Sequence, residues 1–223
     1  FTSAELTMQL DDFAERVLKP RVSQLASSVD ADVATSYKGI YNSVGTPGTT
    51  PATSLVLLQA NQKLNEFATP MNPRYATVNP AANAGLVEGM KGLFNPTGTI
   101  SRQFKNGMMG EGILGLDEIN MSQSIVQHTT GTTPTLPIVA TTVSAQGATS
   151  LAISFTSGSP TFKIGDVFTI GSVFAVNPQT RQTTGSLQQF VVTADVNVSS
   201  TTTATLTVQP PIYTATNALA TVD

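Results

Sequence analysis

The chain has 223 residues, which is long enough for one large domain or two of ordinary size with a packed core. Only 11% of the residues are charged, well below the usual fraction of about 25%, and the formal net charge is −3. With no run of Lys or Arg and no cysteine, the sequence excludes a basic nucleic-acid footprint, a disulfide framework and a thiolate metal site within these residues. No apolar stretch approaches the ~20 residues that span a bilayer.

The first part of the chain reads as mixed α and β. Alternating apolar residues predict a short strand over 5–10, and helical spacing predicts one long amphipathic helix over 11–41. Asp11 and Asp12 are expected to cap the start of this helix, and Pro20 to kink or split it. The apolar positions that define the helix are Phe13, Val17, Leu18, Val22, Leu25, Val29, Val33 and Tyr37.

A Gly/Pro-rich loop over 42–54 separates this helix from the next predicted elements. A second helix is expected over 55–68, and residues 74–94 read as a short strand, a turn and a helix. In that turn Asn79 is placed as the N-cap and Pro80 as the first helical residue, the preferred chemistry for such a junction. The second helix presents Leu57, Leu58, Leu64, Phe67 and Ala68 on one side.

The remainder of the chain changes character. After Thr129 the charged residues are few, and "TTGTTPTLP" over 129–137 is typical of a linker, so we predict domains over 1–131 and 132–223. Short strands without helical periodicity predict a small antiparallel barrel or sandwich in the second domain. These strands are expected at 150–157, 166–171, 172–176, 187–194 and 204–209.

The stretch "GEGILG" at 110–115 matches the G-x-G-x-x-G spacing of dinucleotide-binding loops. Such a loop needs a buried strand before it, a helix after it and an acidic residue about 20 positions further on. Here the upstream "RQFKNGMM" is polar, the downstream residues favour an extended stretch, and residues 131–138 contain no acid. We therefore predict a glycine-rich turn where the chain changes direction, with no cofactor.

His128 is the only histidine, so any metal site or catalytic triad would have to include it. Its nearest carboxylates in sequence, Asp117 and Glu118, do not have the spacing of metal ligands. Asp30 and Asp32 cannot act together, because residues two apart on a helix point in different directions. The sequence therefore predicts a surface or hinge histidine and no catalytic, cofactor-binding or metal-binding residue.

The order of these elements resembles the major capsid proteins of tailed double-stranded-DNA bacteriophages. Residues 1–33 resemble the strand and long spine helix of that family, and "RYATVNPAANAGL" resembles the strand and N-P-turned helix that follow. "GEGILGLDEINMSQSIVQH" is similar to its glycine-led strand segment. "FKIGDVFTIGSV" and "LQQFVVTADV" resemble the β-barrel domain inserted in the podovirus-type branch.

The resemblance implies an α+β capsid-type fold, a long spine helix plus a mixed sheet, followed by a small antiparallel β-barrel insertion domain. It implies a structural subunit that assembles into an icosahedral head, in the virion and in the host bacterial cytoplasm during assembly. Its partners would be copies of itself, a scaffolding protein, the portal and enclosed DNA, with no membrane and no sequence-specific DNA binding. On this resemblance the family's extended loop would lie before Phe1 and its remaining strands after Asp223, so we expect an internal portion of a coat protein.

Two other functions stay open on the sequence alone. The Thr/Ser-rich β half also suits an extracellular binding module, such as a tail-fibre or adhesin segment, although the long helix and mixed first half argue against it. An enzyme that uses the glycine motif is the third alternative, and it lacks the neighbouring elements described above.

Overall fold

The computed structural model describes residues 3, 12–90, 106–107, 109–133, 135–140, 143, 145–198 and 202–213. The strand predicted over 5–10 and the capping residue Asp11 lie outside these residues. Within them the fold is α+β, with one long helical segment, two shorter helices and three sheets. In this part of the chain, no helix is both long enough and apolar enough to cross a membrane.

The first helical segment is continuous but changes type along its length. It comprises a π-helical turn at Ala14–Leu18, helix α1 at Lys19–Ala34 and a 3₁₀ turn at Thr35–Gly39. Pro20 does not split the helix, because it lies at the start of α1, where its missing N–H is tolerated. The kink expected at Pro20 stays a prediction. The predicted cap by Asp12 is wrong, since Asp12 lies inside the helix and pairs with Arg16 at 2.9 Å.

The next three elements match the sequence prediction closely. Helix α2 spans Ser54–Glu66, strand β1 spans Tyr75–Val78 and helix α3 spans Pro80–Gly89. The predicted cap is confirmed, because Asn79 Oδ1 accepts a hydrogen bond of 2.7 Å from the backbone N–H of Ala82. The cap satisfies a backbone donor that the first helical turn would otherwise leave unpaired.

The first part of the chain also contains a three-stranded sheet, in which the strand order is β1-β3-β2. Strand β2 is Gly110–Ile113 and strand β3 is Leu116–Met121; β3 runs parallel to β1 and antiparallel to β2. The sheet and α3 enclose the first hydrophobic core, whose buried residues are Leu86, Met90, Met109, Leu116 and Ile119.

"GEGILG" forms strand β2 and the tight turn that reverses the chain into β3. Ile113 pairs with Leu116, and the two residues between them, Leu114 and Gly115, have φ values of 57° and 77°. Positive φ at both positions is the geometry of a type I′ hairpin turn. The predicted change of chain direction is confirmed, and Gly115 supplies the positive φ that the second position of this turn requires.

The second part of the chain forms a five-stranded antiparallel half-barrel of order β4-β5-β10-β8-β7. Two of the predicted strands, 166–171 and 172–176, form a single strand, which is irregular between Thr169 and Phe174. The strands are β4 (Ile138–Val139), β5 (Ala148–Ser154), β7 (Val167–Val176), β8 (Thr183–Val192) and β10 (Thr203–Ile212), with β6 (Thr161–Phe162) and β9 (Val196–Asn197) paired separately.

The half-barrel encloses a second hydrophobic core. Its buried residues come from alternating positions of the long strands, as expected for a sheet with one covered face. They are Leu151, Ile153, Phe162, Phe190, Val192, Leu206, Val208 and Ile212. None of these side chains belongs to the first core, so the chain packs its apolar residues in two separate places.

We predict that Gly115→Ala destabilises the protein more than Gly112→Ala. Both glycines have positive φ, so each substitution costs about 1–2 kcal/mol in backbone conformation. A Cβ on Gly115 would also collide with the side chain of Asn61, whereas a Cβ on Gly112 meets no atom within 4 Å. The free energy of unfolding in denaturant would measure the difference, and equal losses for the two variants would contradict it.

Candidate functional site

Helix α1 carries a stripe of apolar side chains that the described chain leaves largely exposed, although Val29 and Val33 each border a recess that Val126 also lines. The stripe follows helical spacing of three and four residues, as an amphipathic helix should. No residue of α1 is buried. The most exposed side chains of the stripe are Val22 at 62%, Leu25 at 65%, Val29 at 56% and Val33 at 66%.

The other face of this helix touches the chain through short polar side chains. The hydroxyls of Ser27 and Ser124 lie 3.2 Å apart, and the Ser122 hydroxyl donates to Asp30 at 3.0 Å. These two contacts leave Ser27 and Asp30 exposed as well, so the helix lies on the surface with both its polar and its apolar side chains largely in solvent. Because each fully buried Val or Leu contributes about 1.5–3 kcal/mol, the stripe is a surface that gains stability when another molecule covers it.

A second feature joins the helical segment to the half-barrel through a chain of three polar side chains. Tyr37 Oη lies 2.9 Å from His128 Nδ1, and His128 Nε2 lies 2.8 Å from Asp166 Oδ1. The Tyr37 and His128 rings also meet edge to face, with centroids 5.6 Å apart. We refer to Tyr37, His128 and Asp166 as the polar junction.

Of the two alternatives predicted for His128, a surface or a hinge histidine, the surface one is wrong, and the hinge one stays a prediction. Its side chain is only 22% exposed and that of Asp166 only 15%, and both ring nitrogens of His128 have partners. The relevant carboxylate is neither Asp117 nor Glu118 but Asp166, which lies 38 residues away in the sequence. No local spacing could have revealed it, since the fold alone brings these side chains together.

Asp166 also organises the turn in which it lies. Its carboxylate accepts hydrogen bonds from the backbone N–H of Lys163 at 2.8 Å and of Gly131 at 3.1 Å. The predicted linker over 129–137 is thereby attached to the half-barrel, and Thr132 N–H donates to the Thr161 hydroxyl at 2.9 Å. One carboxylate thus holds a turn, the incoming chain and His128 in place.

Two further side chains of the half-barrel bind the helical part. Gln189 accepts from the backbone N–H of Ser43 at 2.9 Å and also contacts the Lys63 ammonium. Asn177 Nδ2 donates to the carbonyl of Glu66 at 2.6 Å, at the end of α2. Burial lowers the pKa of Lys63, and the nearby Glu66 carboxylate partly opposes that shift. All of these contacts between the two parts are polar.

The polar junction resembles a catalytic triad in its order of groups, but its chemistry favours a structural role. Burial raises the pKa of Tyr37 above its ordinary value, and the Asp166 carboxylate raises it further, so the phenol keeps its proton. A neutral phenol is a poor nucleophile and a good hydrogen-bond partner. Among the described residues, no group of three or more His, Cys, Asp or Glu side chains is arranged to hold a metal ion.

Two other polar residues near the first sheet, Asp117 and Arg74, make hydrogen bonds that join segments of the chain. Asp117 accepts from the backbone N–H of Arg74 at 2.6 Å, which joins β3 to the segment before β1. The buried Arg74 guanidinium donates to the carbonyls of Thr69 and Pro70, each at 2.9 Å. These bonds satisfy a buried charge without a ligand.

The half-barrel leaves a cleft on its open side, between edge strands β4 and β7. The cleft has a volume of about 570 Å³, within the range of ligand pockets. Its walls are mostly apolar and include Ile138, Val139, Leu151, Ile153, Phe162 and Phe168.

No model of a known protein family matches the sequence, and no curated protein matches it significantly. The surfaces and contacts described above, together with the resemblance in the order of elements, are therefore the basis on which a function can be inferred. Two features stand out: the apolar stripe of α1 and the polar junction.

We predict that His128→Ala lowers the free energy of unfolding by about 1–3 kcal/mol, because it leaves the largely buried Asp166 carboxylate without one of its partners. Denaturant unfolding would measure the loss. Gln127→Ala, an exposed neighbour, is the matched control and is expected to change stability little. A loss for His128→Ala no larger than for this control would contradict the role of the polar junction.

We also predict that the polar junction weakens at alkaline pH. The pKa of Tyr37 is raised in the folded state. The stability that the protonated Tyr37 contributes is therefore complete below its unfolded pKa of about 10, and it is lost as the pH rises through its folded pKa. The free energy of unfolding should therefore fall more steeply above pH ~10 in the wild type than in Tyr37→Phe. Parallel pH profiles for the two proteins would contradict this prediction.

Proposed function

We propose that this chain is part of the major capsid protein of a tailed double-stranded-DNA bacteriophage or prophage. On this proposal it is a structural subunit that self-assembles into an icosahedral head shell around DNA. Residues 1–131 would form part of the capsid core and 132–223 the inserted barrel domain. The observation that carries the proposal is the apolar stripe of α1, which the described chain leaves uncovered.

A shell subunit needs broad surfaces that neighbouring subunits cover, and the stripe has the required composition. Interfaces are depleted of charge at their centres and enriched in apolar contacts. Val22, Leu25 and Val29 expose more than half of their area each, in a chain with few charges. Exposed apolar patches of this kind mark sites of protein association.

The order of structural elements also supports the proposal. The long helical segment lies where the sequence resembles the family's spine helix, and the Asn79-capped helix follows its short strand. The half-barrel occupies the region that resembles the inserted domain. The polar junction, with its protonated phenol, suits a part that holds the barrel in place rather than one that catalyses a reaction.

The proposed partners are further copies of the chain, a scaffolding protein and the portal, with DNA enclosed and not read by sequence. The proposed location is the virion, and the host bacterial cytoplasm during assembly. The net charge of −3 and the scarcity of basic residues agree with a shell that encloses DNA without binding it tightly.

A second candidate function is a β-rich extracellular or tail-fibre binding module. The observation that favours it is the apolar cleft between β4 and β7. Saturable binding to glycans or to cells, without formation of particles, would support this candidate over the first.

The proposed function predicts shell-like particles when the complete gene product is expressed with its scaffolding protein and viewed by electron microscopy. We expect the double variant Leu25→Glu/Val29→Glu to prevent them, since carboxylates on the stripe must lose their hydration when it is covered. Gln24→Glu/Ser28→Glu adds the same charge away from the stripe and should still assemble.

Circular dichroism would check that both variants keep their helical content, which is expected because all four positions are exposed. The proposed function would be overturned by monomers alone, at high concentration and with scaffolding protein present, for the wild type. If the two double variants assemble equally well, the stripe is not part of the interface between subunits.

A further inference from the structure

We infer that two copies of the chain pair through α1, with the helices antiparallel and a twofold axis between Leu25 and Ala26. This inference specifies a contact within the proposed self-assembly and rests on that function for its role, although the pairing itself can be tested separately. The partner that fits the apolar stripe is therefore a second copy of the same stripe.

The stripe is self-complementary in this register. At 3.6 residues per turn, its residues fall on one face of α1 and the turn before it. With the twofold axis between Leu25 and Ala26, Val22 meets Val29 of the second copy, and Leu18 meets Val33. Each residue on one side of the axis thus has an apolar counterpart at the same height, as an isologous contact requires.

The charges that flank the stripe favour the antiparallel arrangement. Lys19 and Asp30 lie along one flank of the helix, and Arg21 and Asp32 lie along the other. In an antiparallel pair each flank meets the same flank of the second copy, so basic residues near the start of α1 meet acidic residues near its end. In a parallel pair opposite flanks meet, so Lys19 would lie near Arg21 of the second copy and Asp30 near Asp32, which is repulsive.

These side chains are accessible for the pairing. Among the described residues Lys19 pairs with the exposed Glu15, at 2.7 Å, and the Lys19 side chain is 71% exposed. Exposed pairs of this kind are weak and exchange readily. Asp30 accepts a bond from Ser122 through Oδ2, and its second oxygen can accept a Lys19 ammonium.

A single pair of helices buries less surface than a stable protein–protein contact usually requires. We therefore expect the pairing to be weak in isolated subunits and to be strengthened when further contacts form in a shell. A covalent trap is the suitable measurement, and the chain is well suited to it because it contains no cysteine.

The first experiment introduces one cysteine into the full chain. Leu25→Cys lies next to the twofold axis, where the two Cβ atoms can come within the ~3.5–4.5 Å of a disulfide. Mild oxidation should convert it to a disulfide-linked dimer. Gln24→Cys is the matched control, exposed and one residue away on the opposite face, and should stay monomeric.

The second experiment exchanges charges in the Leu25→Cys background. Lys19→Asp/Arg21→Asp and Asp30→Lys/Asp32→Lys each place like charges opposite one another, so the rate of cross-linking of each alone should fall about tenfold or more. Mixing the two variants restores opposite charges at every position. The mixture should therefore form mixed dimers at a rate close to that of Leu25→Cys alone.

The pairing would be overturned if Leu25→Cys and Gln24→Cys cross-link equally, or if the charge variants cross-link as fast as Leu25→Cys alone. It would also be overturned if another segment of the same chain covers the stripe. Electron microscopy separates this failure from failure of the proposed function. Particles formed by both charge-exchanged variants, unmixed, would overturn the pairing and leave the capsid function intact. Specific cross-linking of Leu25→Cys, together with no particles from the wild-type complete protein, would overturn the capsid function and leave the pairing intact.

Discussion

The hydrogen bonds from Tyr37 through His128 to Asp166 determine how the two packed parts of the chain meet. Each part has its own hydrophobic core, and the two cores share no side chain. The hydrophobic effect therefore stabilises each part internally but does not orient one against the other. Orientation depends on directional polar contacts: the polar junction and the bonds made by Gln189 and Asn177.

Polar contacts of this kind can fix the relative position of two parts of a chain that bury little apolar area between them. A carboxylate with three donors is held in one position, and Asp166 in turn fixes both the His128 ring and the turn after β6. The arrangement resembles a catalytic triad only in the order of its groups. The raised pKa of Tyr37 makes the phenol a stable hydrogen-bond partner across the physiological range.

Helix α1 differs from the polar junction in that most of its apolar side chains are exposed. The hydrogen bonds that join it to residues 122 and 124 come from serine and aspartate side chains, and its Val and Leu residues are largely exposed. An isolated subunit leaves that apolar area in water, so the free energy of covering it is available for association. The described chain thus makes its internal connection with polar bonds and leaves an apolar surface exposed, and this combination agrees with the proposed shell subunit.

The sequence by itself determined the elements governed by local chemistry: the helix over 54–66, the Asn79 cap, the turn in "GEGILG" and most strands of the half-barrel. Periodicity, caps and positive-φ turns act over a few residues and can be read directly. Only the tertiary structure decided that the apolar side chains of α1 stay exposed and that His128 meets Asp166 and Tyr37. Those contacts join residues 38 and 91 positions apart, and no local pattern encodes which distant surfaces the folded chain brings together.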